Sequence, residues 1–168
     1  MNILLIKATT SDAEAMQKMQ IESFKPHLKR YKDVETSPVN ESLERMLYKI
    51  NYEKGCYFKI IADNIHAGCV RVFENEPKMY RIGIIYISPE CQCKGVGQEA
   101  LTIAESLFPE AESWELDCPA DMPINRNCYE KVGYRFTGET KIINDKLTFV
   151  FYRKDIVQLT KFSETDVN

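Results

Sequence analysis

The segment from Gln92 to Gln98 contains the residues whose types and spacing most clearly suggest chemistry. It reads Gln-Cys-Lys-Gly-Val-Gly-Gln, and a helical pattern follows at once. A helix N-terminus presents backbone N–H groups without intrahelical partners and carries a partial positive charge. Glycine lets a ligand approach the backbone closely, and Lys94 would add a full charge. Gly95 and Gly97 therefore predict a site for a phosphate group, with a plain glycine turn as the alternative.

The same glycines also fit G-x-G-x-x-[GA], the pattern of dinucleotide-binding domains, and Asp117 lies 20 residues beyond Gly97. That pattern normally turns straight out of its strand, whereas Ser88 to Lys94 intervene here. It also normally opens a doubly wound domain, but antiparallel strands are predicted upstream and too few residues follow Asp117 for a second half. This context argues against a nicotinamide cofactor.

The elements that must position this segment follow from hydrophobic periodicity, which predicts the order β-α-α-β-β-β-α-β-α-β-β. A first helix is expected from a capping box at Ser11 and Glu14 to about Phe24, and a second from Ser37-Pro38. Residues 25–36 between them predict a long loop or a broken helix. Short polar separators between the middle strands predict an antiparallel meander. The order indicates a mixed α/β (α+β) domain, with helices on the faces of one sheet.

Composition excludes several classes of protein. The chain has 168 residues and a net charge of −3, which argues against a nucleic-acid binder. No apolar run approaches the length of a signal peptide or a spanning helix, so neither membrane association nor export is expected, and the cytoplasm is the default location. The six cysteines are then expected to be reduced thiols. Zinc is not expected, because Cys91 and Cys93 lack a second ligand pair and the only histidines, His27 and His66, are expected to be surface or core residues.

Two motifs give the chain a family resemblance. Gln92 to Gly97 is similar to the Q/R-x-x-G-x-G/A acyl-CoA motif of the GNAT superfamily of N-acetyltransferases, and it follows a strand end, Ile87-Ser88-Pro89, that resembles V-x-P. The segment Asn125 to Tyr134 resembles the second signature of that superfamily, N-R-x-F-Y-E-K-x-G-F, with Cys128 and Tyr134 in place of phenylalanines. The resemblance covers roughly residues 56–152, and the two motifs together, with a strand between them, make it specific.

The resemblance implies a mostly antiparallel sheet of about seven strands, with helices on both faces, splayed between the strands at residues 79–87 and 113–118. It implies one acetyltransferase domain over residues 1–154, followed by a polar tail at residues 155–168. The implied function is transfer of an acetyl group from acetyl-CoA, as co-substrate, to a primary amine of a small molecule or peptide. No metal, nucleic acid or membrane is expected, on the grounds of composition and spacing given above. A homodimer stays open.

The resemblance also implies how acyl-CoA binds. Backbone groups of Ile85 and Ile87 would bind the pantetheine arm like an added strand. Asn125 would contact CoA, and Lys131 or Arg126 would approach the phosphates, unless both are plain surface charges. Gly97 is further expected to use backbone torsions that other residues avoid. The pyrophosphate would lie against the loop and helix start formed by Gln92, Cys93, Lys94, Gly95, Val96, Gly97 and Gln98.

Direct attack of an amine on a thioester requires two proton transfers. Tyr129 matches the position of the superfamily's general acid, and a phenol with a pKa near 10 is protonated at neutral pH; the alternative is a core tyrosine. The base is harder to assign, because Arg81 occupies the position where many relatives carry a glutamate. Asp117 is the expected base. Weaker candidates are Glu22, Asp33 and Glu35. The missing glutamate leaves a non-catalytic acyl-CoA-binding or sensor module as the alternative function.

Overall fold

The structure, a computed structural model, describes residues 1–157. Seven strands form one sheet in the order β1-β2-β3-β4-β5-β7-β6, which confirms the predicted fold class and element order. The strands are β1 (Ile3–Lys7), β2 (Gly55–Ala62), β3 (Ile65–Glu76), β4 (Met79–Ile87), β5 (Ser113–Pro119), β6 (Arg135–Ile142) and β7 (Thr148–Asp155). The helices are α1 (Ala13–Tyr31), α2 (Leu43–Ile50), α3 (Val96–Ser106) and α4 (Pro123–Lys131).

The sheet is antiparallel except where β4 meets β5. These two strands run parallel, and they pair only from Met79–Arg81 to Ser113–Glu115. Beyond Arg81 they diverge, so the second half of each strand faces an open wedge. The predicted splay between these strands is confirmed, and the wedge is where a ligand can enter the sheet.

Each face of the sheet is covered by helices, as the alternation of side chains along the strands requires. On one face, Met16 of α1 and Met46 of α2 are buried with Tyr57, Cys69 and Tyr86 from the strands. On the other face lie buried residues of α3 and α4 together with the neighbouring strand positions. These include Phe58, Ile60, Val70, Ala100, Leu101, Ala104 and Tyr129. The wedge opens between these two apolar layers.

Helix α1 is longer than the sequence predicts, and this changes the site. It continues through Pro26 to Tyr31 and ends at Lys32, whose backbone has the left-handed φ of 55° and whose N–H donates to the Leu28 carbonyl at 2.9 Å. The sequence predicts an end near Phe24 because residues 25–36 show no clear hydrophobic period. The part of α1 beyond Pro26 is held by Tyr31, whose hydroxyl donates to the Asp121 carboxylate at 2.6 Å and whose carbonyl accepts from the Asn144 side-chain amide at 3.0 Å.

The starts of both N-terminal helices also differ from the prediction. The capping box is formed by Thr9 and Asp12, with the Thr9 N–H donating to the Asp12 carboxylate at 2.8 Å, and not by Ser11 and Glu14. Ser37-Pro38 opens only a short 3₁₀ turn, and α2 begins after Ser42. Several Ser, Thr, Asp and Asn residues lie near both helix starts, so spacing alone identified the wrong capping residue for each helix.

The C-terminal end of the described chain bears on the predicted domain boundary. Strand β7 ends at Asp155, one residue past the predicted boundary at residue 154. Of the predicted polar tail, residues 158–168 lie outside the described residues, so the tail remains a prediction. Among residues 1–157, no helix has the length and apolarity needed to cross a membrane.

Candidate active site

The wedge between β4 and β5 opens into two cavities that meet. The larger has a volume of about 410 Å³ and lies between α1, the open halves of β4 and β5, and the β6–β7 hairpin. The smaller, of about 250 Å³, lies between β4, the loop before α3, and α4. Five residues line both cavities and so mark the junction between them: Phe24, His27, Ile85, Asn125 and Tyr129.

The smaller cavity is lined by the glycine segment that first suggested an anion site. Gln92, Cys93 and residues 95–98 all line it. The first helical hydrogen bond of α3 runs from the Glu99 N–H to the Gly95 carbonyl at 3.1 Å. The amides of residues 96–98 therefore have no helical partner, and their position at a helix start gives the cavity a partial positive charge. This arrangement suits a phosphate group.

The two glycines serve different purposes. Gly95 is the N-cap of α3 and has the left-handed φ of 81°. Glycine adopts this backbone conformation without the steric cost that other residues meet. Gly97 does not have a positive φ, so the expectation that it uses unusual torsions is wrong. A Cβ there would lie 3.7 Å from the Cys128 sulfur and 3.9 Å from Ile87 Cγ1, which is ordinary contact. Gly97 therefore provides space beside the cavity. Within residues 92–98 the left-handed φ values are those of Gly95 and of Cys93, whose φ is 59°.

The open edge of β4 provides backbone groups to the same cavity. The Ser88 N–H donates to the Ala67 carbonyl of β3 at 2.8 Å. Because peptide groups alternate in direction along a strand, those of Ile85 and Ile87 point away from β3 into the wedge. The Gln92 side-chain amide, which donates to the Ile87 carbonyl at 2.8 Å, lies on that side. Both isoleucines line the smaller cavity, as the predicted pantetheine contact requires.

The basic side chains predicted to contact the phosphates of CoA have other partners or lie outside the cavities. The Lys94 ammonium donates to the Glu90 carbonyl in its own loop at 2.7 Å. Arg126 donates from Nε to the Tyr152 hydroxyl at 2.9 Å. Neither they nor Lys131 are among the residues that line the two cavities, so phosphate contact by these side chains stays a prediction. In the described range, no group of three or more His, Cys, Asp or Glu side chains is arranged to hold a metal ion.

Tyr129 is buried at the junction of the cavities. Its side chain comes from α4, is 6% exposed, and packs against the rings of Tyr134 and Tyr152 at centroid distances of 6.4 and 6.1 Å. Within residues 1–157 its hydroxyl has no hydrogen-bond partner. Burial raises the pKa of Tyr129 well above its ordinary value of 10, so the phenol stays protonated throughout the neutral range.

Asp117 forms an ion pair across the wedge. Arg81 is the last residue of β4 that pairs with β5, and its guanidinium donates to the carboxylate of Asp117, two residues beyond the last paired residue of β5. Burial raises the pKa of Asp117, and the positive charges of Arg81 and Lys141 oppose that rise. The pair lines only the larger cavity. Arg81, at the position where the family resemblance implies a glutamate, is therefore paired with a carboxylate on the facing strand.

The other predicted bases are not placed for that role. Asp33 lines the larger cavity, but its carboxylate accepts hydrogen bonds from the Thr36 N–H at 3.0 Å, the Glu35 N–H at 3.3 Å and the Thr36 hydroxyl. Its lone pairs are thus used within its own turn. Glu22 and Glu35 are not among the side chains that line either cavity.

His27 is the residue that sequence reasoning missed. It lines both cavities, and its ring meets those of Phe24 and Tyr31 edge-on at centroid distances of 5.3 and 6.1 Å. Burial lowers the pKa of His27, so the imidazole is neutral at pH 7. The structure therefore places His27 at the junction of two cavities, where the sequence indicated only a surface or core residue. The available signal was the i, i+3, i+4, i+7 spacing of Phe24, His27, Leu28 and Tyr31, which Pro26 obscured.

Contacts between distant segments close the larger cavity. The Tyr31 hydroxyl and the Arg30 guanidinium both donate to the Asp121 carboxylate, each at 2.6 Å. The Asn144 side-chain amide donates to the Tyr31 carbonyl at 3.0 Å. The end of α1 is thereby held to the β5–α4 loop and to the β6–β7 turn, so that three segments form one enclosure.

Comparison with known proteins agrees with this geometry. The model of the acetyltransferase (GNAT) family matches residues 15–134. No curated protein matches the chain significantly in sequence. Among solved structures, the PaiA N-acetyltransferase of Thermoplasma acidophilum in complex with coenzyme A is 17% identical, with a TM-score of 0.71 over 93% of this chain and 100% of that one.

Two further structures have similar folds and different acceptors. RimL, a ribosomal L7/L12 alpha-N-protein acetyltransferase in complex with coenzyme A, is 16% identical, with a TM-score of 0.74 over 92% of this chain and 94% of its own. The spermidine N-acetyltransferase of Vibrio cholerae, in complex with CoA and spermine, is 18% identical, with a TM-score of 0.70 over 90% of this chain and 94% of its own. At these identities the likeness establishes the fold.

Proposed function

Because this chain belongs to the GNAT acetyltransferase family, we propose that its two joined cavities hold the two substrates of an N-acetyl transfer. Acetyl-CoA would occupy the smaller cavity and a primary amine the larger. The observation that carries this proposal is the junction. His27, Asn125 and Tyr129 line both cavities, so a thioester reaching out of one would meet an amine in the other.

The smaller cavity offers backbone groups that suit acetyl-CoA. The unpartnered amides of residues 96–98 are suited to a pyrophosphate, and the wedge-facing peptide groups of Ile85 and Ile87 to the amides of the pantetheine arm. Asn125 would contact the same arm where the cavities join. Gly97 supports this placement because a larger side chain there would project beside Cys128 and Ile87.

We propose Tyr129 as the proton donor to the departing thiolate. Two properties support this role: the position at the junction and the absence of a competing hydrogen-bond acceptor among the described residues. Burial raises the pKa of Tyr129, which keeps the phenol protonated and also makes it a weaker acid. A general acid in such a position contributes a factor of about 10² to 10⁴ to the rate.

The proton of the amine needs an acceptor, since an amine with a pKa near 10.4 is neutral in only about one molecule in several thousand at pH 7. We propose His27, which is neutral and lies at the junction. Asp117 remains the predicted alternative, because it lines the larger cavity but its carboxylate is paired with Arg81. His27→Phe keeps the edge-on ring contacts and removes the basic nitrogen. Asp117→Asn keeps the shape and removes the charge.

These two variants decide between the bases. If His27 is the base, H27F should lower kcat by about 10²-fold or more and leave CoA affinity within a few-fold. D117N should then alter KM for the amine more than kcat. If D117N abolishes turnover while H27F retains it, the assignment reverses to Asp117.

The competing function is a non-catalytic acyl-CoA sensor, which the arginine at position 81 favours. The experiment that separates the two functions is release of free thiol from acetyl-CoA across a panel of amino acids, polyamines, aminoglycosides and peptides. The relatives support such a panel, because their acceptors include a ribosomal protein and spermidine. Release that depends on an amine establishes the transferase. CoA binding without release for any amine would support the sensor.

We also propose a cytoplasmic location and a homodimer. All six cysteines are free, which suits a reducing compartment. Every residue of the edge strand β6 is exposed, and Phe136 on this strand is 47% exposed, which supports pairing with a second copy. Sedimentation of the wild type beside Phe136→Lys tests the dimer. A wild type that stays monomeric at micromolar concentration would exclude it.

A further inference from the structure

The walls of the larger cavity are apolar on three sides. The open halves of β4 and β5, helix α1 and the β6–β7 hairpin each contribute apolar side chains to it. These include Ile84, Leu116, Phe24, Leu28, Leu147 and Phe149. The cavity encloses about 410 Å³, which is in the range of small-molecule sites. Walls of this kind favour a ligand with an apolar body, because burying apolar surface is favourable.

The charges that line the same cavity balance. Among the described residues, its charged side chains are Asp33, Asp117, Arg81 and Lys141. Two carboxylates are therefore matched by two cations. His27 adds no charge, because burial lowers the pKa of its imidazole. An acceptor that carries several charges of one sign would gain no net attraction from such a cavity.

Most polar groups of the walls already have partners within the protein. Asp33 uses its carboxylate within its own turn, and the Ser37 hydroxyl accepts a hydrogen bond from the N–H two residues further on at 3.3 Å. The Arg81 guanidinium is paired with Asp117 and lies over the Phe151 ring, 5.8 Å from its centroid. A ligand body rich in hydroxyl or ether oxygens would lose its hydrogen bonds to water along these walls and regain few of them, which is costly.

The polar groups that suit an amine lie at the junction with the smaller cavity, where His27 and Tyr129 line both spaces. Elsewhere the larger cavity is bounded by contacts between distant segments. Tyr31, which lines it, donates to the Asp121 carboxylate and accepts from the Asn144 side-chain amide. An amine at the junction would therefore have its body enclosed between the apolar walls, and a long chain would meet this boundary.

Building on the proposed function, we infer that the acceptor is a compact monoamine with an apolar body: an alkylamine or arylalkylamine, and not a polyamine, an aminoglycoside or a peptide. Its amine faces His27 and Tyr129 at the junction. Its body lies between Leu28 of α1 and the phenylalanines of β7, Phe149 and Phe151.

The test compares two primary amines of equal length. Hexylamine has an apolar chain, and 2-(2-aminoethoxy)ethanol has oxygens in place of two of its carbons. Acetylation is followed by thiol release from acetyl-CoA, and rates are referred to the neutral amine so that a difference in amine pKa does not enter. We expect kcat/KM for hexylamine to be about 10-fold higher or more, because each buried methylene is worth roughly fourfold.

Three further amines test the body and its size. Phenethylamine should be acetylated about as well as hexylamine. Spermidine and a hexapeptide with an N-terminal leucine should each have a kcat/KM about 10-fold lower or less, because the first adds charges and the second adds polar length.

The variant Leu28→Gln places an amide in the apolar wall and keeps an unbranched side chain that favours a helix. Leu28 lines the larger cavity and is not among the residues that line the smaller one. L28Q should lower kcat/KM for hexylamine about 10-fold and for the oxygen-containing amine by less than about threefold. CoA affinity should stay within a few-fold.

The control is Leu47→Gln, the same change at a half-buried leucine of α2 that is not among the residues lining either cavity. L47Q should preserve the preference for hexylamine. Unfolding midpoints of both variants fix a temperature at which each is folded, and activities are compared there.

The outcomes separate this inference from the proposed function. Equal kcat/KM for hexylamine and its oxygen-containing partner, or a higher value for spermidine or the hexapeptide, would overturn the acceptor class and leave the acetyltransferase standing. The same holds if L28Q lowers kcat/KM equally for both matched amines. Release with none of the five amines, despite tight CoA binding, would overturn both.

Discussion

Replacing Tyr129 with phenylalanine separates the proposed acid role from a packing role. The substitution removes one hydroxyl and keeps the ring that packs against Tyr134 and Tyr152. Because no partner of this hydroxyl occurs in residues 1–157, no hydrogen bond is lost within that range, and the free energy of unfolding should change by less than about 0.5 kcal/mol. Turnover should fall between about 10-fold and 10³-fold, with CoA affinity within a few-fold.

Tyr152→Phe is the matched control, because it removes a hydroxyl from a neighbouring buried ring. The Tyr152 hydroxyl accepts a hydrogen bond from Arg126 Nε at 2.9 Å and donates one to Glu130 at 3.2 Å. At about 0.5–1.5 kcal/mol each, Y152F should lower the free energy of unfolding by roughly 1–3 kcal/mol. Its turnover at a temperature where it is folded should stay near that of the wild type. Y129F should therefore lose activity and keep its stability, whereas Y152F should keep its activity and lose stability.

The assay measures kcat for thiol release, together with CoA affinity by calorimetry and unfolding by denaturant. A second acetyl donor with a more acidic thiol adds a direct test of proton donation, since a better leaving group needs less protonation. The deficit of Y129F should therefore shrink with that donor. Equal deficits with both donors, or full activity of Y129F, would show that Tyr129 packs the core and that water supplies the proton.

Three further predictions test the smaller cavity and the buried tyrosines. Gly97→Ala should leave the fold and CoA binding nearly intact, because its Cβ meets Cys128 and Ile87 at ordinary contact distances. Gly97→Val should weaken CoA binding in a folded protein. Calorimetry that shows equal CoA affinity for the two variants would refute the cradle. Acetyl-CoA at a hundredfold excess over its Kd should stabilise the fold by about 2.7 kcal/mol, and a melting-temperature rise with NADH alone would contradict the site. Burial raises the pKa of Tyr57, Tyr86, Tyr129 and Tyr134 in the folded state. Above pH 10 the unfolded state therefore binds fewer protons than the folded state, and the free energy of unfolding should fall as pH rises. Urea midpoints that hold constant from pH 9 to 11 would exclude this pH dependence.

Much of the fold could be predicted because it depends on local spacing. Alternating and helical apolar patterns gave the eleven predicted elements in the order that the structure has. The glycine segment predicted an anion cradle at the start of α3 because a helix start has the same free amides in any protein. The junction tyrosine, Tyr129, was predicted through the resemblance of its motif. Errors at this level, such as the cap at Ser11 and the helix end at Phe24, were shifts of boundary.

What the sequence by itself did not determine is which distant residues meet in the wedge. Arg81 and Asp117 are 36 positions apart and pair only because β4 and β5 run parallel for three residues and then diverge. His27 reaches the junction because α1 continues past Pro26, and Lys141 reaches the larger cavity because β6 pairs with β7 at the sheet edge. A motif consists of residues that are close together along the chain. The contacts in the wedge depend instead on strand register and on helix packing across the whole sheet. The predicted anion cradle thus depends on local sequence, whereas the proposed base and the proposed acceptor cavity depend on the tertiary structure.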